Sequence, residues 1–223
     1  MNKILTIYFF KKKQNSGLVL LALLSLLLML LRVKITHDIY LLFLIWNLFL
    51  GYIPYFLSSK IKTTIPGTFR FYALLFGWLL FLPNSFYLLT DFVHLHYSSS
   101  LQYLFDAVLL SSFTIAGFYA GITSLFHIHT LLEMKYEKNK SKLIIVTMCY
   151  LVSFGIYLGR MLRFNSWDIL SNPIDLFYNS IKSTTSIEVY VFTLLFGTFI
   201  TLIYCLSYSF LNKNHSLIIT KFN

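Results

Sequence analysis

Four polar side chains recur at helical spacing near the end of one apolar run: Asn84, Tyr87, Asp91 and His94. Separations of three, four and three residues put them on one stripe of an α-helix. Asp91 and His94 could serve two chemistries. A carboxylate can orient an imidazole for proton transfer, or the two can share a metal ion. The plain alternative is an aspartate at a helix end and an interfacial histidine solvated by water. Ionisable groups are expensive in lipid, so they usually face a protein interior or a water-filled cavity.

A second set lies downstream. Arg160 and Arg163 are three apart and share a helix face. Their guanidinium forks could clamp a phosphate or a carboxylate. The alternative is ion pairing with Asp91, Asp106 or Asp168, together with contact to anionic lipid. Asn165, Ser166 and Trp167 then lead into Asp168, and either Ser166 or Asp168 could cap a helix starting near Ile169. Trp167 and many of the tyrosines also fit an interfacial aromatic belt. His127 and His129 are two apart, on different helix faces, which disfavours a shared metal. Cys149 and Cys205 sit inside apolar runs and read as small buried residues. The Gly-rich phosphate loop, Gly-x-Ser-x-Gly, His-Glu-x-x-His and Cys-x-x-Cys do not occur.

The elements that must position these groups are membrane helices. The 223 residues are 57% hydrophobic and only 12% charged, whereas a soluble domain carries about 25% charged residues. Several apolar stretches approach the roughly 20 residues needed to cross a bilayer. The expectation is an all-α, polytopic transmembrane bundle forming one domain over 1–223. Its spans lie near 16–31, 39–57, 69–89, 105–131, 143–162 and 187–211. The short alternating segments of a membrane barrel are absent. The basic start before the first apolar run resembles a signal peptide, but no small-x-small cleavage site follows, so the run reads as a retained span.

Details within the spans refine this. Pro54 and Pro83 lie inside apolar runs, and Pro83 should kink its helix and free a carbonyl one turn earlier. Asn47 reads as an interhelical hydrogen-bond donor, with a pocket lining as the alternative. Gly117 with Gly121, and Gly155 with Gly159, form small-xxx-small pairs that favour close helix packing. Residues 101–131 are too long for one perpendicular span, so the start lies along the interface or the helix extends beyond the bilayer. Residues 96–100 read as a short polar loop. The stretch holding Ile169, Leu170, Ile174, Leu176 and Phe177 reads as an amphipathic segment that folds back onto the membrane surface.

The net charge of +10 could suggest nucleic acid, but the basic residues punctuate apolar segments as short flanks. With six spans, thirteen Lys and Arg fall on the side of the termini and five on the other. That bias places both termini in the cytoplasm. The end of the third span, the start of the fourth and the end of the fifth then share the outer face. Asn84, Tyr87, Asp91, His94, Asp106, Arg160, Arg163, Asn165, Trp167 and Asp168 could meet there in one layer.

Three blocks carry a resemblance: Trp46 to Pro54, Leu82 to Asp91, and Gly155 to Arg160 with Arg163 to Asp168. In this order, over roughly residues 40–180, they resemble the DUF1361 family of bacterial integral-membrane proteins. Its shared motifs match Pro83, Asn84, Asp91, Arg160, Asn165, Trp167 and Asp168. The resemblance implies a multi-span membrane protein, and it implies no reaction or cofactor. Three classes of function stay open. An enzyme on a lipid-linked or anionic substrate would use Asp91 and His94 as acid and base, and the other eight residues to bind. A small-solute or lipid transporter would need polar groups continuing through the bundle, and apart from Asn47 and scattered Ser and Thr the inner half offers few. A non-catalytic scaffold needs neither. The expected surroundings are the lipid bilayer of a bacterial cytoplasmic membrane, an anionic or lipid-linked ligand, and no nucleic acid.

Overall fold

The structure, a computed structural model, describes the backbone over residues 3–95 and 99–220 and side chains over 15–95 and 99–210. Residues 96–98 of the expected loop lie outside the described residues, as do the side chains of Lys3, Lys11, Lys12, Lys13, Lys213 and Lys221. The fold is all-helical, with no strand among the described residues. The helices are α1 (Lys3–Thr36), α2 (Phe43–Ile61), α3 (Phe69–Tyr87), α4 (Ser100–Lys135), α5 (Lys138–Arg160), α6 (Asp168–Ser171), α7 (Pro173–Ser183) and α8 (Ile187–Thr220). Tyr40–Leu42 and Leu88–His94 are wound as 3₁₀ helix.

Six segments are long and apolar enough to cross a membrane: Asn15–Thr36, Tyr40–Ile61, Phe69–His94, Ser100–Lys135, Lys138–Arg160 and Ile187–Phe210. These are the six expected spans with their ends shifted by up to five residues. α4 runs unbroken for 36 residues, which at 1.5 Å per residue is about 54 Å and overshoots a bilayer. Of the two readings of its length, the helix that extends beyond the bilayer fits an unbroken α4.

α3 starts where its sequence says it should. Gly67 takes a left-handed φ of 86°, and the Thr68 hydroxyl accepts from the Phe71 amide at 3.2 Å as the N-cap. The helix continues through Pro83 to Tyr87 and then tightens into 3₁₀. This corrects the stripe of Asn84, Tyr87, Asp91 and His94. With three residues per turn, Leu88, Asp91 and His94 align, and Tyr87 turns about a third of a revolution away from Asp91.

The chain forms two compact units, 1–124 and 125–223, with the boundary inside α4. In the first, Met29, Leu41, Leu44, Leu48, Leu88, Leu109, Leu110, Phe113 and Ala116 form a buried core. α2 meets α3 closely: a Cβ on Gly51 would stand 3.3 Å from the Asn84 carbonyl, and the Ser85 hydroxyl donates to the Gly51 carbonyl at 2.6 Å. α4 meets the same stretch through its glycines. A Cβ on Gly117 would fall 2.6 Å from the Ser85 carbonyl, and one on Gly121 2.7 Å from the Phe86 ring. In the second unit, α5 buries Ile145, Cys149, Val152 and Ile156, and α8 buries Val189, Ile200 and Tyr204. Cys205, expected to be buried, is exposed: it sits one residue past Tyr204, and one residue is 100° around an α-helix.

Candidate functional site

The polar groups of the first unit gather over one end of its core, and the turn from α1 to α2 sets their geometry. His37 takes a left-handed φ of 54°, and its amide bonds back to the Val33 carbonyl at 2.9 Å. α1 ends there in the manner of a helix closed by one left-handed residue. Asp38 follows. Its Oδ1 accepts from the Tyr40 amide at 2.9 Å, which starts the 3₁₀ turn into α2.

This turn leaves the Asp38 carbonyl and Oδ2 facing Arg32. The Arg32 Nη1 donates to that carbonyl at 2.7 Å and Nη2 to Oδ2 at 3.0 Å. On its other edge the guanidinium meets Asp106 at the start of α4, with Nε to Oδ1 at 3.1 Å and Nη2 to Oδ2 at 3.4 Å. Arg32 is 3% exposed and Asp106 9%. Charges this deep persist only when paired and hydrogen-bonded, and the planar fork serves two carboxylates at once. The Tyr40 amide, followed by the Arg32 guanidinium, holds the Asp38 carboxyl below its usual range.

A second strand of contacts continues from Tyr40. Its hydroxyl meets the Nδ1 of His94 at 2.9 Å. The imidazole also lies edge-on to Phe43, with ring centres 4.9 Å apart. One 3₁₀ turn earlier, Asp91 is 1% exposed, and its Oδ2 accepts from the Asn47 amide at 3.0 Å. Asn47 thus acts as the interhelical donor that its place in an apolar run predicts. Asn84 donates to the Phe81 carbonyl at 3.0 Å, and Tyr87 is half-buried.

The remaining candidates belong to the second unit. Arg160 closes α5 and is half-buried. Arg163 is exposed, with a left-handed φ of 59°, and the next amide, Phe164, reaches back to the Leu158 carbonyl at 3.1 Å. Asn165 and Asp168 close a tight turn. The Asp168 carboxylate accepts from the Asn165 amide at 2.6 Å, and the Asn165 carbonyl accepts from the Asp168 amide at 3.0 Å. This corrects the expected cap. Asp168 is the first residue of α6, and the residue at its N-cap is Trp167, whose side chain makes no capping bond. Its carboxylate turns back toward Asn165 and also accepts from the Ser171 hydroxyl at 3.0 Å. Trp167 precedes α6 and is exposed.

Sequence reasoning missed two groups. Arg32 read only as a basic flank of the first span, and Asp38 was not singled out. The available signal was an arginine four residues before the end of a helix and an aspartate just past it. The second group surrounds His129. Its Nδ1 meets the Tyr204 hydroxyl at 2.5 Å, and its Nε2 lies 3.5 Å from Glu133. Tyr208 donates to that same Glu133 oxygen at 2.9 Å. The i,i+4 spacing of His129 and Glu133 was the visible clue. Among the described residues, no three His, Cys, Asp or Glu side chains stand together around a possible metal position.

Six apolar helices, with paired charges held inside one end of a unit, define an α-helical integral membrane protein. The chain belongs to DUF1361, a family described as proteins of unknown function, which it matches over residues 46–203. That region takes in Asn47, Asp91, His94 and Asp106 but not Arg32, Asp38 or Tyr40. No match is found among curated proteins or among solved structures.

Proposed function

We propose that this chain is a membrane-embedded enzyme acting on an anionic or lipid-linked substrate. In this reading residues 1–223 form one integral-membrane domain in a bacterial cytoplasmic membrane. Both termini are cytoplasmic and the polar layer faces outward. The observation that carries the proposal is the Tyr40–His94 pair at 2.9 Å, one 3₁₀ turn from a carboxylate only 1% exposed. A phenol hydroxyl on Nδ1 fixes the plane of the imidazole, and imidazole exchanges protons near neutral pH. Asp91 is the second acid/base group. Arg160 and Arg163 are the anion-binding groups, and Asn84, Tyr87, Asp106, Asn165, Trp167 and Asp168 are the further substrate-binding residues.

Asp91→Asn, His94→Gln and Arg163→Lys test this, each measured for membrane abundance and for cellular phenotype. Asparagine keeps the shape of aspartate but cannot act as an acid or base, and lysine cannot reproduce the guanidinium fork. Normal abundance with a lost phenotype supports an enzyme. Phenotype lost only in proportion to abundance would sink it. Reporter fusions at Lys138 and Ser180 test the topology and must report opposite sides. A second reading, a non-catalytic scaffold, is favoured by Arg32, whose four hydrogen bonds tie α1 to the following turn and to α4. In that case the layer is a structural clasp.

A further inference from the structure

We infer that α7 lies in the plane of the membrane, with its apolar stripe set into the bilayer interface by hydrophobic burial alone. The stripe is Ile174, Phe177, Tyr178 and Ile181, at the i, i+3, i+4, i+7 spacing of one helix face. These residues are 80%, 69%, 63% and 55% exposed. The roughly opposite face carries Leu176, Asn179, Ser180 and Ser183, which are half-buried or buried. A surface helix of a soluble protein has the reverse arrangement, apolar side in and polar side out. Here the small and polar residues are turned inward, and the largest apolar side chains are left for something outside the chain.

Position in the chain identifies the occupant. α7 sits in the connection between two candidate spans, Lys138–Arg160 and Ile187–Phe210. The ends of consecutive spans emerge on one face of the bilayer, so the connection is tethered to that surface at both ends. Asn172 and Pro173 start the helix, with the Asn172 amide donating to Asp175 at 2.8 Å. The open stripe continues into the exposed apolar residues at the start of α8, Ile187, Tyr190 and Val191, and is preceded by Leu170, itself 83% exposed. Eleven residues are too few for a stable helix in water on their own. A bilayer interface supplies the missing burial.

Charge decides the kind of binding. Residues 160–190 hold three basic and three acidic groups: Arg160, Arg163 and Lys182 against Asp168, Asp175 and Glu188. A segment with no net charge gains little from anionic lipid, so α7 should bind a zwitterionic surface equally well. The stripe borders a shallow concavity of about 590 Å³ that Lys182 also lines. A lysine there can lay its stem along acyl chains and keep its ammonium among headgroups.

The test uses the full chain with Cys149→Ala and Cys205→Ser, carrying one new cysteine with a nitroxide label at Phe177, Ile181, Leu170 or Lys138. Each protein is placed in nanodiscs of phosphatidylcholine, with or without phosphatidylglycerol. Power saturation then reports access to oxygen and to a water-soluble nickel chelate. The labels at Phe177, Ile181 and Leu170 should favour oxygen, at a depth of about 5–10 Å, in both lipids. Their nickel access should be several-fold below that at Lys138. Nickel access at Phe177 equal to that at Lys138 would overturn the inference. So would burial that appears only with phosphatidylglycerol, or low access to both reagents with spin–spin broadening, which would mean that a second copy covers the stripe. If the Phe177 label prevents folding, Ile181 and Leu170 read the same face. Phe177→Asp should then move the Ile181 label toward water.

Discussion

The polar residues of the first unit and those of the loop after α5 hold very different partners. In the first unit, Arg32 bonds Asp106, Tyr40 meets His94 and Asn47 bonds Asp91, across separations of 74, 54 and 44 residues. In the loop after α5, Asn165 to Asp168, Asp168 to Ser171 and Asn172 to Asp175 each span three residues. The first set joins helical segments, and it grades from the buried Arg32–Asp106 pair through the part-buried Asn47–Asp91 bond to the exposed Tyr40–His94 pair. The second is exposed and shapes a loop. Remote, desolvated contacts restrain the fold. Local, wet ones set a backbone path. The same residue types therefore carry different weight.

The largest effect that can test this contrast is at Arg32. Arg32→Ala strands the buried Asp106 carboxylate and should cost about 3–5 kcal/mol. Arg32→Met with Asp106→Leu should recover most of it, because an apolar pair of similar volume leaves no orphan charge. Unfolding in detergent measures both, with Asn165→Ala as the comparison. Asn165→Ala should stay within about 0.5 kcal/mol. If Arg32→Ala is as mild as Asn165→Ala, the contrast between the two regions is void.

Asn47→Leu sharpens it at a smaller scale. Removing the amide leaves Asp91 without that donor and should cost about 1–3 kcal/mol, read by the same unfolding assay. Below that come the two left-handed positions, one in each region. A non-glycine residue there carries strain of roughly 1–2 kcal/mol, part of which glycine returns through a looser unfolded chain. His37→Gly and Arg163→Gly should each stabilise by about 0.5–1 kcal/mol. A loss of stability for Arg163→Gly would reveal a remote partner and move that arginine into the first class.

The smallest effect is a pH dependence. The folded Asp38 carboxyl titrates below its usual 3.8, held there by the Tyr40 amide and then by Arg32. A depressed carboxyl contributes stability above its unfolded value and loses it as pH falls through the folded value. Stability should therefore decline below about pH 4 with a component that Asp38→Asn abolishes. An unchanged acid slope in that variant would remove Asp38 from the account.

How legible this was in the sequence follows from the range of each signal. Six helices were legible because the lengths of apolar runs are local information. Asn47 was legible because an amide inside Leu, Ile and Phe needs a partner. The glycines at 117 and 121 announced close packing, and α3 answers it with Ser85 and Phe86 against them. The partner of Asp106 was not legible, since nothing local distinguishes Arg32 from a basic topology flank 74 residues away. The four-residue stripe failed for a different reason. It assumed one helical period, and the backbone changes period at Leu88.

That change of winding works as a length adjustment. A 3₁₀ helix rises about 0.5 Å more per residue than an α-helix and turns about 20° more. Across the seven residues Leu88–His94, the difference comes to about 3–4 Å of reach and about 140° of rotation. With α winding throughout, the His94 imidazole would fall short of the Tyr40 hydroxyl and face another way. The junction of these two rings acts as a gauge of helical pitch, and it closes at one setting of that pitch.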